Sequence, residues 1–598
     1  MKAKKSWIDF IFLLLLIIPS FYSLFHQGYF SMHDDQHIAR LYLLDKAIRQ
    51  GYLYPRWVGG LGFNFGYPLF NFYPPLVYYI AEIFHLFGFS LIWSIKLTFV
   101  SGFIIATLGM FIFLRKLIGR LPAIFGAILY NYFFYHAITA YVRGALAEFF
   151  TMAIIPFILY FLDSLFRETN SKNAIFFGFF LALLILTHPL IAFPFVIYLS
   201  FFFLFYFFKS KNKKHFLGFF IIGVIIALGL SSFFWAPSMF EKKYTMVDDI
   251  LTRELANYKI HYVYPSQYWY SPWGYGGSTE GLGDGITFQL GKIHITAVLF
   301  SFFTFLLYAL KKIKDGINIS NYYLFYFFLF LFSLFIMTPV SSFVWDHIQY
   351  LWYLQFPWRF FTFINLFISA LSAFGLSFLL EIAAKKEILK KTASLSIIFL
   401  CLLVVYKYGI YFRPQRYLNT TDKDRTAFEE ISWRISNSSF EFSPKGVKTK
   451  KSALDTSIFD IERKDITTVP YKIIFGNAEV KTLSNLYQKK EFAVNAKTPI
   501  YFQLNTFNFP GWKAYLQSAN GQTEEVINDN NEYRLIRLNL DKGKYRLLFL
   551  FENTYIRTIA NLISCFCFIS VTIVLAVKCL SIRRRKNLQA SSYFQSSK

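Results

Sequence analysis

The run LIWSIKLTFVSGFIIATLGMFIFL, residues 91–114, is closed by Arg115, Lys116 and Arg120. At about 1.5 Å per residue it is long enough to cross a hydrocarbon core about 30 Å thick. Basic residues just past the end of such a run mark the cytoplasmic side of a membrane segment. If residues 115–120 lie inside, then residue 91 and the loop before it lie outside. This orientation fixes the reading of the rest of the chain.

Eleven further stretches have the same character: residues 7–25, 121–138, 147–164, 173–188, 191–208, 216–235, 292–310, 321–339, 359–381, 393–411 and 557–580. The fifth in chain order, 173–188, is short and ends at His188 and Pro189, so a broken outer end is expected. The first, Trp7 to Phe25, has a basic start and no small-residue cleavage pattern, which predicts a retained anchor. Alternating the twelve spans puts every basic cluster inside: Lys2, Lys4, Lys5; Lys209 to Lys214; Lys311, Lys312, Lys314; Lys385, Lys386, Lys390, Lys391; and Arg583 to Lys586. The alternation works only if Pro74 to Phe89 does not cross, so this stretch is expected to be interfacial or re-entrant, with Tyr78, Tyr79 and Phe84 at the boundary.

Composition agrees. Of 598 residues, 55% are hydrophobic and 22% aromatic, while only 16% are charged. The net charge of +26 flanks apolar runs, so membrane lipid is the expected partner and nucleic acid is not. Cys401, Cys565, Cys567 and Cys579 all sit in apolar segments, which suggests neither a disulfide framework nor a thiolate metal site.

Three regions remain outside: residues 26–90, 236–291 and 412–556. In the last, alternating segments such as Tyr533 to Leu540 and Tyr545 to Phe551 replace the long apolar runs. Asp541, Lys542 and Gly543 separate those two, and Asn520, Gly521 offers another hairpin-type turn. The expected fold class is a polytopic α-helical membrane protein of about 12 transmembrane helices with an extracytoplasmic β-sandwich. Its parts are a membrane domain over residues 1–411, the sandwich over 412–556, and a last span with a basic cytoplasmic tail over 557–598.

The first outer loop contains His33, Asp34, Asp35, Gln36 and His37, followed by Ile38, Leu41, Leu44 and Ile48 at helical spacing. Three residues apart on a helix, Asp34 and His37 would share a face as a general base or metal-ligand pair. Equally, Ser31 and Asp34 would make a capping box. The string from Tyr54, Pro55, Arg56, Trp57 to Gly66, Tyr67, Pro68 has no Walker pattern, and a surface shaped for a lipid headgroup or sugar is expected there.

Arg143 and Glu148, where the third span hands over to the fourth, are costly at membrane depth unless used or paired with each other. His188 suits a satisfied core group or a ligand equally. The second loop carries Trp273, Tyr275 and Asp284 among glycines, which suits either stacking on sugars or a tight turn. Gln355 and Arg359 precede the tenth span, and this arginine would hold a lipid phosphate or anchor the helix.

These strings together resemble the YfhO-type, pyruvoyl-tetrahydropterin synthase-related bacterial membrane proteins, within the superfamily of lipid-dependent GT-C glycosyltransferases. The likeness runs almost end to end. It rests on His33 and Asp34 with His37 and Arg40; Tyr73 to Pro75; Arg143 to Glu148; Ser271 to Gly277 with Asp284 and Gly285; Phe356 to Arg359; and Pro510 to Trp512. The resemblance implies a multi-helix core whose first outer loop carries an acidic residue near the reacting centre, and a polyprenyl-phosphate sugar donor. Asp34 is then the candidate base, with Asp35 its possible substitute, since this chain has two adjacent acids. His37, Arg40, Arg56, Arg143, Glu148, His188, Trp273, Tyr275, Asp284, Gln355 and Arg359 are the candidate substrate-binding residues. The pterin label would require the compact metal site of soluble enzymes, which is not legible here.

The function expected is transfer of a sugar from the lipid phosphate to an extracytoplasmic lipid, glycan or cell-envelope acceptor in the plasma membrane, with both termini cytoplasmic. The positive charge that the leaving phosphate needs could come from Arg143, Arg359 or a divalent metal bound by carboxylates and histidine, and no other cofactor is implied. A transporter or flippase would place its charges at the midplane of repeated broken helices, and a non-catalytic envelope scaffold would tolerate loss of Asp34.

Overall fold

The computed structural model describes residues 6–251, 256–311, 319–383, 387–449, 459–518 and 521–596. Lys2, Lys4, Lys5, Lys312, Lys314, Lys385, Lys386 and Asn520 lie outside the described residues.

Among the described residues, ten helices are long and apolar enough to cross a membrane, and a bent pair makes an eleventh. They fall where the apolar runs predict, with two corrections. The stretch expected as one span over residues 121–138 is two helices, Arg120–Asn131 and Phe134–Val142, meeting at 47°. Phe133 takes an extended backbone between them, and the second piece ends in the π-helical turn Ile138–Val142. The stretch expected over residues 173–188 is a helix of 17 residues, Ser171–Thr187, shorter than the others. The interfacial segment holds only the 11-residue helix Leu76–Leu86. That is about 16 Å of helix, half a bilayer core.

Helix Pro357–Ala383 is the hub, with 89% of its most apolar window buried, whereas Tyr555–Ser581 has 6% buried. Small residues explain the hub. Ser369, Ala370, Ser372, Ala373, Gly375 and Ser377 let neighbouring backbones approach, and a Cβ at Gly375 would collide with Ser301.

Ten strands lie on the side of the helices that bears the long loops. β1 (Tyr29–Phe30) pairs antiparallel with β2 (Tyr417–Leu418). The remainder are β3 (Tyr471–Phe475), β4 (Ala478–Asn485), β5 (Lys489–Ala496), β6 (Ile500–Phe507), β7 (Trp512–Ser518), β8 (Gly521–Glu525), β9 (Leu535–Leu540) and β10 (Gly543–Phe551). One sheet has the order β4-β5-β10-β7-β8 and the other β3-β6-β9. They face each other through Phe492, Phe502 and Phe549, rings 5.5 to 6.2 Å apart. β7 and β8 form the hairpin expected at Gly521, with Ser518 opposite Gly521. β9 and β10 do not form one: β9 pairs with β6 and β10 with β5 and β7, so Asp541 and Lys542 carry the chain from one sheet to the other.

The glycine and aromatic string is where the sandwich docks. Trp57 is buried with its ring against Phe509, Trp512 and Phe551, 5.3 to 6.1 Å between centroids. Phe507 donates its backbone N–H to the Phe65 carbonyl at 2.9 Å. Gly66 has φ +88°, and a Cβ there would lie 2.5 Å from the Trp57 indole nitrogen. The surface expected to meet a headgroup or sugar is therefore filled by the protein's own β-sandwich, apart from Arg56 at its start.

Candidate active site

The helix that follows the paired acids is His37–Arg49, capped at Gln36 without a side-chain hydrogen bond. Asp34 and Asp35 precede it, so neither the expected capping box with Ser31 nor a shared helical face with His37 forms. Backbone pairing positions the acids instead. His33 and Asp34 donate their N–H groups to the carbonyls of Val142 and Arg143 at 3.1 and 2.8 Å. Ser31 donates to the Arg416 carbonyl at 3.0 Å. The loop is thus held on one side by the turn after the bent pair and on the other by the strand leading to the sandwich.

The two acids have different surroundings. Asp35 is half-buried, and Arg425 and Arg434 bind its carboxylate, the latter at 3.3 Å. Burial pushes the Asp35 carboxyl above its ordinary range, with the two arginines opposing. Asp34 is exposed and accepts no side-chain hydrogen bond or ion pair among the described residues. Its charge acts on Arg143, Arg359, His37 and Tyr73.

His37 is buried and fully used. Its Nε2 faces the Gly144 carbonyl, which can only accept, so Nε2 carries the proton and Nδ1 receives the Tyr78 hydroxyl at 3.0 Å. Burial lowers its pKa to about 4, so the imidazole is neutral and fastens the helix to the turn. Arg40 lies on the next turn, over the Tyr73 ring at 3.9 Å and bonded to Ser439 at 3.1 Å.

Next to Asp34, the Glu148 carboxylate is held by three groups. Arg143 reaches it at 2.8 Å, Arg359 lies 3.4 Å away, and Tyr135 donates its hydroxyl. The self-pairing of Arg143 with Glu148 exists, and Arg359 makes it a cluster of two cations around one anion. Trp358 packs on Arg143, 4.6 Å from ring centre to guanidinium carbon. Arg359 also donates to the Leu354 carbonyl at 2.7 Å, at the end of a turn where Gln355 takes φ +60°. A non-glycine residue there stores about 1–3 kcal/mol of strain. His188 lies within electrostatic reach of Glu148 and Arg359, while its Nδ1 accepts the Ile191 N–H at 3.1 Å and caps the helix Pro189–Lys209.

The second loop closes over the same place. The Tyr275 carbonyl bonds the His33 ring at 2.9 Å, and its hydroxyl donates to the Arg413 carbonyl at 3.0 Å. Trp273 stands beside Tyr275, Phe134 and Tyr411. Asp284 is a brace within this loop: Gln267 and the Thr279 N–H donate to it at 2.6 and 2.9 Å, and burial raises its pKa.

The structure therefore brings Asp34, His37, Arg40, Arg143, Glu148, His188, Tyr275 and Arg359 into one neighbourhood. Trp273 stands at its edge through Tyr275. It leaves Arg56 elsewhere, bonded to Asn71, Phe233 and Asn561. Arg425 and Arg434 were not legible as participants, because their partner Asp35 lies nearly 400 residues earlier, and Tyr135 was not because no pattern marks this tyrosine, 13 residues before Glu148, among its aromatic neighbours. Among the described residues, no group of three or more His, Cys, Asp or Glu is arranged to hold a metal ion.

Residues 70–414 match the family described as 6-pyruvoyl-tetrahydropterin synthase related domain, membrane protein. The chain belongs to that family. The matched stretch of this family member contains Arg143, Glu148, His188 and Arg359, while Asp34 and the sandwich lie outside it. No curated protein matches the chain. Among solved structures it is similar to an arabinofuranosyltransferase, AftD from Mycobacteria, at 12% identity and a TM-score of 0.45, over 70% of this chain and 29% of that one. It is also similar to the Archaeoglobus fulgidus oligosaccharyltransferase, tethered to an acceptor peptide (11% identity, TM-score 0.39, 69% of this chain and 55% of that one). The apo form of the latter gives 13% identity and a TM-score of 0.38, over 69% of this chain and 56% of that one. The chain spans less than two thirds of the length of each.

Proposed function

We propose that the protein is a membrane glycosyltransferase that moves a sugar from a polyprenyl-phosphate donor to a hydroxyl of an extracytoplasmic lipid, glycan or envelope acceptor. The observation that carries this reading is a free carboxylate, Asp34, fixed by its own backbone to Arg143 and adjacent to a cluster with one positive charge in excess. Arg143 and Arg359 contribute two charges and Glu148 removes one.

A base and an anion site side by side are what a single displacement requires. Asp34 takes the proton of the acceptor hydroxyl as that oxygen bonds to the anomeric carbon. The bond from that carbon to the phosphate oxygen breaks, and the lipid phosphate leaves with the electron pair toward Arg143 and Arg359. Glu148 holds both guanidinium groups in place, so little reorganisation is needed when the charge develops. Trp273 and Tyr275 offer ring faces for the sugar. The donor already carries its phosphate on a lipid, so no nucleotide-binding fold is needed. The basic clusters at the opposite helix ends support placing this face outside the cell.

The test is transfer by the purified chain in lipid nanodiscs, offered a panel of labelled polyprenyl-phosphate sugars and, separately, nucleotide sugars. Product from a polyprenyl-phosphate donor alone is expected. Product from nucleotide sugars alone, or from no donor, would overturn the reading.

A further inference from the structure

Arg56, which the Asp34 cluster does not use, lines a cavity of about 580 Å³ on the other face of the helix Leu76–Leu86. Tyr78 points from that helix to His37, whereas Leu76 and its neighbour Tyr79 face the cavity. The remaining apolar walls come from Tyr54, Pro75, Leu186, Phe233 and Phe551, and the polar ones from Gln488, Asn553, Asn561 and Ser564. Leu186, Phe233, Asn561 and Ser564 are on helices of the membrane part of the fold, so the cavity sits where those helices reach the outer surface. Beside it, Leu53, whose carbonyl accepts the Tyr79 hydroxyl, is 78% exposed, as suits a side chain immersed in lipid.

The charges around the cavity do not cancel. Glu241 receives Asn71 at 2.8 Å, Thr554 at 2.6 Å, and Arg557 through Nε and Nη2 at 2.9 and 2.8 Å. That carboxylate is spent on Arg557. Arg56 makes no ion pair among the described residues, and Glu241 is the one carboxylate whose field acts on it. Its bonds to Asn71, Phe233 and Asn561, at 3.2, 2.8 and 2.8 Å, all go to neutral acceptors and engage three of its five N–H groups. Arg56 is only 3% exposed. A buried cluster with one positive charge in excess is costly unless an anion completes it.

We propose that this cavity binds an anionic phospholipid whose singly charged phosphodiester headgroup meets Arg56 and whose acyl chain lies against Leu76, Leu186 and Phe233, at a site separate from Asp34. One negative charge balances the cluster, and the apolar walls select a lipid over free phosphate. The site does not depend on the transferase reading.

The test uses the full chain in detergent and follows thermal unfolding as phosphatidylglycerol, phosphatidylcholine of the same acyl composition, or inorganic phosphate is added. Phosphatidylglycerol is expected to raise the midpoint at concentrations at least tenfold below phosphatidylcholine, with inorganic phosphate inert. Arg56→Gln should abolish that preference, and Leu76→Trp should reduce it by filling the cavity without touching a charge, while Asp34→Asn retains it. Equal responses to the two lipids in the wild-type protein, or a response to inorganic phosphate equal to that of the lipid, would overturn the proposal whatever the variants do. A preference that survives in both Arg56→Gln and Leu76→Trp would overturn it too.

Discussion

Exchanging Asp34 and Asp35 for asparagine in turn separates chemistry from architecture, because adjacent residues of the same type have opposite surroundings. Asp34→Asn removes a charge that is exposed and has no partner, so stability should change by no more than about 0.5 kcal/mol. If Asp34 is the base, transfer should fall by roughly 10²- to 10⁴-fold, the usual worth of a positioned general base. Asp35→Asn breaks the bonds to Arg425 and Arg434, which retain Glu430 at 3.2 and 2.6 Å and so are not left as lone buried charges. The cost is therefore near that of a partly screened ion pair, about 1 kcal/mol, rather than the several kcal/mol of an orphaned one. Its activity should stay within about tenfold of wild type. The assay pairs initial rates at saturating donor with unfolding in denaturant, for both variants in the same nanodiscs. An Asp34→Asn protein with wild-type rates refutes the assignment, and so does a folded Asp35→Asn protein that is inactive.

Three more outcomes are expected. Glu148→Gln leaves Arg143 and Arg359, 8% and 7% exposed, without their shared carboxylate; the loss should be about 3–5 kcal/mol, and denaturation showing less than 1 would contradict the cluster's structural weight. His37, with its pKa lowered to about 4, is neutral when folded, while in the unfolded chain it titrates near 6.5. Its stabilising effect is whole above about pH 6.5 and is lost as pH falls toward 4, by about 3 kcal/mol, and a His37→Gln variant should lack that part of the pH profile. Gly66→Ala strains a left-handed backbone and presses on Trp57, so it should destabilise by at least about 1 kcal/mol and expose the sandwich to protease; unchanged proteolysis would speak against that docking contact.

The spans were legible because a bilayer imposes length and apolarity on each segment separately. The bend near Phe133 was not, since both halves are equally apolar and the break depends on backbone alone. In the sandwich, alternation marked strands, but Asp541 and Lys542 have the composition of a hairpin whether or not the flanking strands pair. The string around Gly60 was misread for a related reason. Glycines and aromatics announce a close contact without saying with what, and here the partner is Trp512 and its neighbours, about 450 residues away. The same distance in sequence explains why Asp34 and Asp35 looked alike: what separates them is Arg425 and Arg434, nearly 400 residues later.

Strand β1 pairs with β2, and the first two N–H groups of the helix Leu91–Ile118 bond the Asp422 carboxylate at 2.7 and 3.0 Å. Both partners leave the ribosome long after the residues they complete. At about 5–20 residues per second, the gap of nearly 390 residues is a wait of roughly 20 to 80 s. During that time β1 is unpaired, and the helix has its Ser90 cap but not the Asp422 carboxylate on its first two N–H groups. A chain interrupted before Tyr417 would carry Asp34, Arg143 and Arg359, yet lack both the strand and the carboxylate that set the loop in place.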